Sequence, residues 1–356
     1  MSLDTEWMRK LLSDKKFLVY GPKIVAIGGG TGLSTMLRGL KEYSANITAV
    51  VTVADDGGGS GVLRQDLGLL PPGDIRNCLL ALANTEPIME QLLQYRFQDG
   101  MLKGQSFGNL FIAAMNGISD NFVEAVRKMS DVLAVTGRVL PVTINDVRLV
   151  AELEDGFIVK GESNIGNHNS LHPGAIKRVF IEPSNAQPLD EVIESILEAD
   201  AVILGPGSLF TSIIPNLLIK GVADAIKKSP AIKIYVCNIM TQPGETDGFN
   251  VLDHVRAVEN HSFSGIVDYC IVNQSEIPEE FLEKYRQEGA EPVLLANDSD
   301  LIGTEVITDD YLSLFKGKIR HDAKKLSKAI MQLVAESVIA RDKQRLLDYY
   351  FVKERL

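Results

Sequence analysis

Residues 23–34 read KIVAIGGGTGLS: the apolar run Lys23-Ile24-Val25-Ala26-Ile27, then the glycine-rich turn GGGTGLS at 28–34. A short apolar run bounded by glycines reads as a buried strand. The residues after it, Leu33–Tyr43, have helical spacing, so the glycines sit at a strand-to-helix turn. Glycine lets the backbone approach an anion closely, and the following helix points its free N–H groups at the charge. The turn predicts a phosphate site built from Gly28, Gly29, Gly30, Thr31, Gly32 and Ser34. It is not the dinucleotide fingerprint G-x-G-x-x-G, because Leu33 occupies the third glycine position. It is not a P-loop either, because no lysine follows.

The same βα pattern recurs along the chain. A strand over 47–53 ends in Asp55-Asp56, and residues 71–135 are mostly helical. Strands are expected at 201–204, 233–237, 266–272 and 300–308, and a long helix at 322–348. Strands alternating with helices predict an α/β fold, a doubly wound, mostly parallel Rossmann-like sheet. The stretch 143–181 differs: VRLVAELEDGFIVKGES alternates apolar and polar residues around Asp155-Gly156, a hairpin signal. The reading is one α/β nucleotide-binding domain over 21–356, with an antiparallel insertion at about 143–181. Residues 1–20 form an N-terminal extension carrying a short amphipathic helix over 4–20.

In an open parallel sheet, ligands bind beyond the carboxyl ends of the strands, and there the chain concentrates its unusual loops. TVADDGGGSGVLR at 52–64 offers Asp55, which could bond a ribose hydroxyl or hold a divalent cation such as Mg²⁺. Asp56 and Gly58 sit beside it. The four glycines among 57–61 predict a flexible loop rather than a helix interior. LLPPGDIRNCLLALA at 69–83 places Asp74 as an N-cap and Arg76 and Asn77 at the start of a helix, with Arg76 offering a planar fork for phosphate. SFGNLFIAA at 106–114 gives a similar polar entry at Asn109. GPGSLFTS at 205–212 is a second phosphate-type turn, in which Gly205, Gly207 and Ser208 are the contact residues. NIMTQPGET at 238–246 adds Asn238 and Gln242, able to read a sugar or a base. His168 and His172 share a Gly/Asn-rich loop, which favours structure over metal binding.

Composition narrows the function classes. The chain has 356 residues, 45% hydrophobic, with a formal net charge of −11. That charge argues against nucleic-acid partners. No apolar stretch approaches the length of a membrane span, the N-terminus lacks a signal-peptide core, and Cys78, Cys237 and Cys270 lie far apart. A cytoplasmic protein with reduced, buried cysteines is expected.

KIVAIGGGTGLSTMLRGL, TVADDGGGSGVLR, PPGDIRN, GNL, ILGPGSLFTSIIPNLL and CNIMTQPGET, in this order between about 22 and 325, resemble the YvcK/CofD-like family. CofD-type members imply transfer of a phospholactyl group from a guanylylated donor to a deazaflavin, with Mg²⁺ and with Asp55 as the catalytic or metal-holding residue. YvcK-type members, the gluconeogenesis factors, imply binding of a UDP-sugar such as UDP-N-acetylglucosamine. They also imply a role in cell shape and wall synthesis on gluconeogenic carbon sources, with no settled reaction. The wording VTVADDGGGSG and VCNIMTQPGET is similar to the YvcK branch. There, the resemblance places Tyr285 and Arg320 at the UDP-sugar, beside the two glycine turns and Asp55. Gly59 stands where the family pattern has Ser. Expected partners are a nucleoside-diphosphate sugar, proteins of cell-wall synthesis and a second copy paired through the 71–135 helices.

Overall fold

The computed structural model describes residues 21–170, 172–295, 303–315 and 317–341. The expected helix over 4–20 and the far end of the expected helix over 322–348 lie outside these residues. The first half runs β1 (Ile24–Gly28), α1 (Gly30–Leu40), β2 (Ile47–Val51), α2 (Gly58–Leu67), α3 (Gly73–Leu82), α4 (Pro87–Gln94), α5 (Phe107–Gly117), α6 (Phe122–Val132) and β3 (Arg138–Pro141). Next come β4 (Arg148–Leu153), β5 (Ile158–Lys160), α7 (Glu162–Ile165) and β6 (Ile176–Glu182). The second half runs α8 (Asp190–Glu198), β7 (Ala201–Leu204), a π-helical turn (Leu209–Ile213), α9 (Ile214–Leu217), α10 (Val222–Lys228), β8 (Ile232–Val236), α11 (Val251–Asn260) and β9 (Tyr269–Asn273). It closes with α12 (Glu279–Gln287), β10 (Glu305–Asp309), β11 (Leu312–Phe315), β12 (Lys318–His321) and α13 (Ala323–Arg341).

Seven strands form the central sheet in the order β10-β9-β8-β7-β1-β2-β3, and every pairing is parallel. The sequences explain this. IVAIG, ITAVV and AVIL are apolar at every position and buried along their whole length, as a strand covered on both faces must be. The chain builds outward from β1 through β2 to β3, then returns to the other side of β1 with β7. The order therefore reverses between β1 and β7, the switch point at which open α/β sheets bind ligands.

The helices close the core. Leu33, Met36, Leu37 and Leu40 of α1 are buried, and α1 packs against α3 and α13. At the crossing with α13, a Cβ on Gly39 would stand 2.2 Å from the Ala323 carbonyl oxygen, so only glycine allows this approach. The antiparallel insertion has three strands in the order β5-β4-β6, with Gly156 at φ +86° in the turn between β4 and β5. His261 of the segment after α11 fastens it, its Nε2 accepting from the Val179 N–H at 3.0 Å.

The glycine-rich segment 57–61 corrects one expectation. It is not a loop but the start of α2, with Gly57 as the cap residue and Gly58 at φ +50°. Glycine is required for packing there: a Cβ on Gly61 would strike the Asp56 carbonyl oxygen at 2.2 Å. No single helix among the described residues is long and apolar enough to cross a membrane.

Candidate functional site

The two glycine turns follow β1 and β7, which are neighbours in the sheet, so the turns meet although they lie far apart in sequence. Their backbones nearly touch. A Cβ on Gly32 would lie 2.6 Å from the Pro206 carbonyl oxygen, and one on Gly207 would lie 3.1 Å from that of Gly29. Gly30 takes φ +69° and Gly205 φ +82°, left-handed conformations that glycine adopts without a Cβ clash. Beyond the turns opens a cavity of about 380 Å³, within the range of small-ligand sites.

Ten residues proposed from the sequence line this cavity: Gly29, Gly30, Thr31, Gly32, Gly207, Ser208, Asn238, Gln242, Tyr285 and Arg320. Ser208 makes no side-chain bond to the turn that follows it, which leaves its hydroxyl to the cavity. The Tyr285 hydroxyl accepts the Ile319 N–H at 3.0 Å, which ties α12 to β12 and fixes the strand that carries Arg320. The Arg320 Nη1 donates to the Ile319 carbonyl at 3.0 Å. Among the described residues, Arg320 is the one Lys or Arg on the cavity wall. Gly28 and Gly205 lie just behind the turns, and the Ser34 Oγ donates back to the Thr31 carbonyl at 3.0 Å.

The other candidates do not line the cavity. Arg76 donates to the Asn109 Oδ1 at 2.8 Å, to the Asn77 Oδ1 at 2.9 Å and to the Ser106 hydroxyl. That network engages both terminal nitrogens, while the buried Nε–H has no hydrogen-bond partner among the described residues. Asp55 accepts the Gly57 N–H at 2.9 Å, which closes its own turn, and Asp56 accepts the Ser163 N–H at 2.9 Å, which braces that turn against α7. Gly58 opens α2. Among the described residues, no group of three or more His, Cys, Asp and Glu side chains is placed to hold a metal ion. Asp55 offers one carboxylate. A magnesium ion there would have to draw its remaining ligands from a bound phosphate and water. His168 has both ring nitrogens engaged, with the Ile165 and Gly174 carbonyls at 2.7 and 2.8 Å, and is a structural residue.

Sequence reasoning missed a set of carboxylates behind the turns, Glu245 buried and Asp74 and Glu162 half-buried. Asp74 is not a helix cap. It lies in the first turn of α3 and accepts from the Gly30 backbone, and a Cβ on Gly29 would fall 2.5 Å from its Oδ2. Burial, with the Asp55 charge beside it, pushes Asp74 up to about 6. Burial pushes Glu245 up to about 7, against the opposing bond from Thr211. Glu162 is pushed up to about 8 by burial and by the charges of Asp55, Glu245, Asp56 and Asp74. Asp74 and Glu245 sit in the PPGDIRN and CNIMTQPGET motifs, far apart in sequence, and only the fold brings the three acids together. Thr35, Ser212, Glu288 and His321 also line the cavity without having been singled out.

Fold and site together define a Rossmann-like α/β protein whose cavity opens at the switch point of a seven-stranded parallel sheet. The family model described as 2-phospho-L-lactate transferase CofD matches residues 24–312, and the chain belongs to that CofD family. A Clostridium acetobutylicum relative, whose name carries the words gluconeogenesis factor, is 56% identical over 357 residues, covering 100% of this chain and 79% of its own. The Bacillus subtilis gluconeogenesis factor is 49% identical over 321 residues, covering 88% of this chain and 99% of its own. A crystal structure of a UPF0052-family protein from Bacillus halodurans aligns with a TM-score of 0.83 at 47% identity, covering 86% of this chain and 98% of that one.

Proposed function

We propose that this chain binds a UDP-sugar, of the UDP-N-acetylglucosamine type, in the switch-point cavity and acts as a regulatory gluconeogenesis factor. In this reading it is a cytoplasmic protein that couples carbon status to cell-wall synthesis. The supporting observation is the meeting of the two glycine turns on one cavity with Tyr285 and Arg320. Two adjacent turns of this kind suit the two phosphoryl groups of a diphosphate, and the helix behind the first turn stabilises negative charge. Arg320 adds the charge-assisted bonds that a single guanidinium can make. The relatives' names agree in direction.

Calorimetric titration of UDP-N-acetylglucosamine, with and without Mg²⁺, tests it. Saturable binding is expected, weakened roughly 10- to 100-fold by Arg320→Ala. Absence of binding under both conditions refutes the reading.

The carboxylates behind the turns favour a second reading, a CofD-type transferase. Raised carboxyl pKa values in a cleft are the environment that acid–base catalysis uses. Asp55, or Asp74 beneath Gly29 and Gly30, would then take the proton of an attacking hydroxyl. Product formation from a guanylylated phospholactate donor and a deazaflavin, lost in Asp55→Asn, would establish it.

A further inference from the structure

The cavity is electrically lopsided. On one wall stand the glycine turns, with the N-terminus of the eleven-residue α1 behind them. On another stands the C-terminal end of α12, where Glu288 is the C-cap. The helix dipole makes the first wall attractive to anions and the second repulsive. Among the described residues that line the cavity, Glu288 is the one carboxylate. No ion pair joins it to Arg320 or to any other described residue, and its side chain is exposed.

Its position is held firmly. The Glu288 N–H donates to the Tyr285 carbonyl at 3.0 Å, and Gly289 turns the chain at φ +82°, with its own N–H on the Arg286 carbonyl at 3.0 Å. The following residues are laced to the 239–241 loop, which also lines the cavity. Thr241 N–H donates to the Glu291 carbonyl at 2.7 Å, the Glu291 N–H to the Thr241 Oγ1 at 2.9 Å, and the Val293 N–H to the Ile239 carbonyl at 2.9 Å. Tyr285, one turn before Glu288, carries the bond to β12 already described. The carboxylate therefore stands on a pinned backbone at the cavity wall.

A carboxylate beside a diphosphate lowers affinity by like-charge repulsion unless it receives hydrogen bonds. An ionised carboxylate only accepts, so the ligand must bring donors. Uracil offers one N–H between two carbonyl acceptors, a poor match for two carboxylate oxygens. A pair of sugar hydroxyls offers two donors and no charge.

We propose that Glu288 is a specificity-determining residue that accepts hydrogen bonds from a pair of hydroxyls on the bound nucleotide sugar, orienting the ligand with its diphosphate against the glycine turns. This rests on the UDP-sugar reading above. The hydroxyls belong either to the ribose or to the hexose, and the test separates the two.

Titrate UDP-N-acetylglucosamine, its 2′-deoxyribose analogue and UDP into wild type, Glu288→Ala and Glu288→Gln. The variants alter an exposed side chain, so folding is preserved. Glu288→Ala is expected to weaken UDP-N-acetylglucosamine roughly 10- to 100-fold, the scale of hydrogen bonds to a charged group. Glu288→Gln, which keeps one acceptor oxygen, falls between. If UDP is weakened equally, and wild-type preference for the ribose over the deoxyribose form disappears in Glu288→Ala, the ribose is read. If UDP is unaffected, the hexose is read. Unchanged or tighter binding of UDP-N-acetylglucosamine to Glu288→Ala overturns the proposal while leaving the UDP-sugar reading intact. No binding of any ligand to wild type overturns both.

Discussion

Gly59 shows how a single residue is judged by its surroundings. The family pattern has Ser here, and a Cβ at this position would sit 2.9 Å from the Gln105 Oε1. That oxygen is buried and has no hydrogen-bond partner. A serine would require only the flexible end of Gln105 to yield, and its hydroxyl could then donate to the orphaned oxygen. Gly59 also lies in the first turn of α2 without a left-handed φ, so a side chain brings no backbone strain. Gly59→Ser is expected to stabilise the protein by about 1 kcal/mol, combining a gained buried hydrogen bond with better helix propensity. Chemical denaturation checks it; a lower midpoint would show that Gln105 cannot move. Gly32 behaves oppositely, because its neighbour is backbone.

At the level of elements, the paired turns decide the site. A Cβ on Gly32 would lie 2.6 Å from the Pro206 carbonyl oxygen and 3.2 Å from the Gly207 nitrogen, so neither turn can yield without moving its strand end. Gly32→Ala is expected to push the turns apart and abolish binding of a diphosphate ligand, while the sheet itself still forms. Retained calorimetric affinity in Gly32→Ala would contradict a shared phosphate site. Six of the seven central strands and both turns were legible in the sequence, because apolar runs and glycines are local signals; β3 and the β11–β12 hairpin were not expected. The pattern placed β1 at 23–27 and β7 at 201–204, close to where they stand. The glycines at 57–61 misled, since local propensity argues against a helix and says nothing of the Asp56 carbonyl that excludes a side chain at Gly61. The partners of Arg76 were not legible either: the Ser106 and Asn109 side chains that hold its Nη1 stand 30 and 33 residues away, where no local pattern marks them. Asp74, Glu162 and Glu245 were illegible as a group because only tertiary packing makes them neighbours.

Across the whole molecule, buried and half-buried titratable groups give stability an unusual pH dependence. Asp74, Glu245 and Glu162 titrate in the folded chain at about 6, 7 and 8. An unfolded chain releases those protons near pH 4. The folded state therefore holds extra protons across that interval, and stability falls as pH rises through it. His254, His261 and His321 act in the opposite sense: burial lowers all three, His321 to about 4. Their contribution is full above the unfolded value near 6.5 and declines as pH falls below it. The two sets offset each other at acidic pH, and above about 6.5 only the carboxylates remain. Stability is expected to decrease from pH 6.5 to 8, measured as the denaturation midpoint, and Glu162→Gln should flatten the decline. A midpoint rising over that interval would show that these acids are already ionised in the folded chain.

The strand order carries one more consequence. β1 to β3 come from one continuous stretch and β7 to β10 from another, and the two sets are zipped together only along β1 and β7. Each set contributes one glycine turn, so neither owns a complete cradle. A molecule lodged between the turns is gripped by both sides of that seam and rewards only the zipped arrangement. Its occupancy is thereby converted into mechanical cohesion, worth about 2.7 kcal/mol when its free concentration is a hundred times its Kd. On the proposed reading, a protein stitched in this way would sense its nucleotide sugar as the strength of its own central seam.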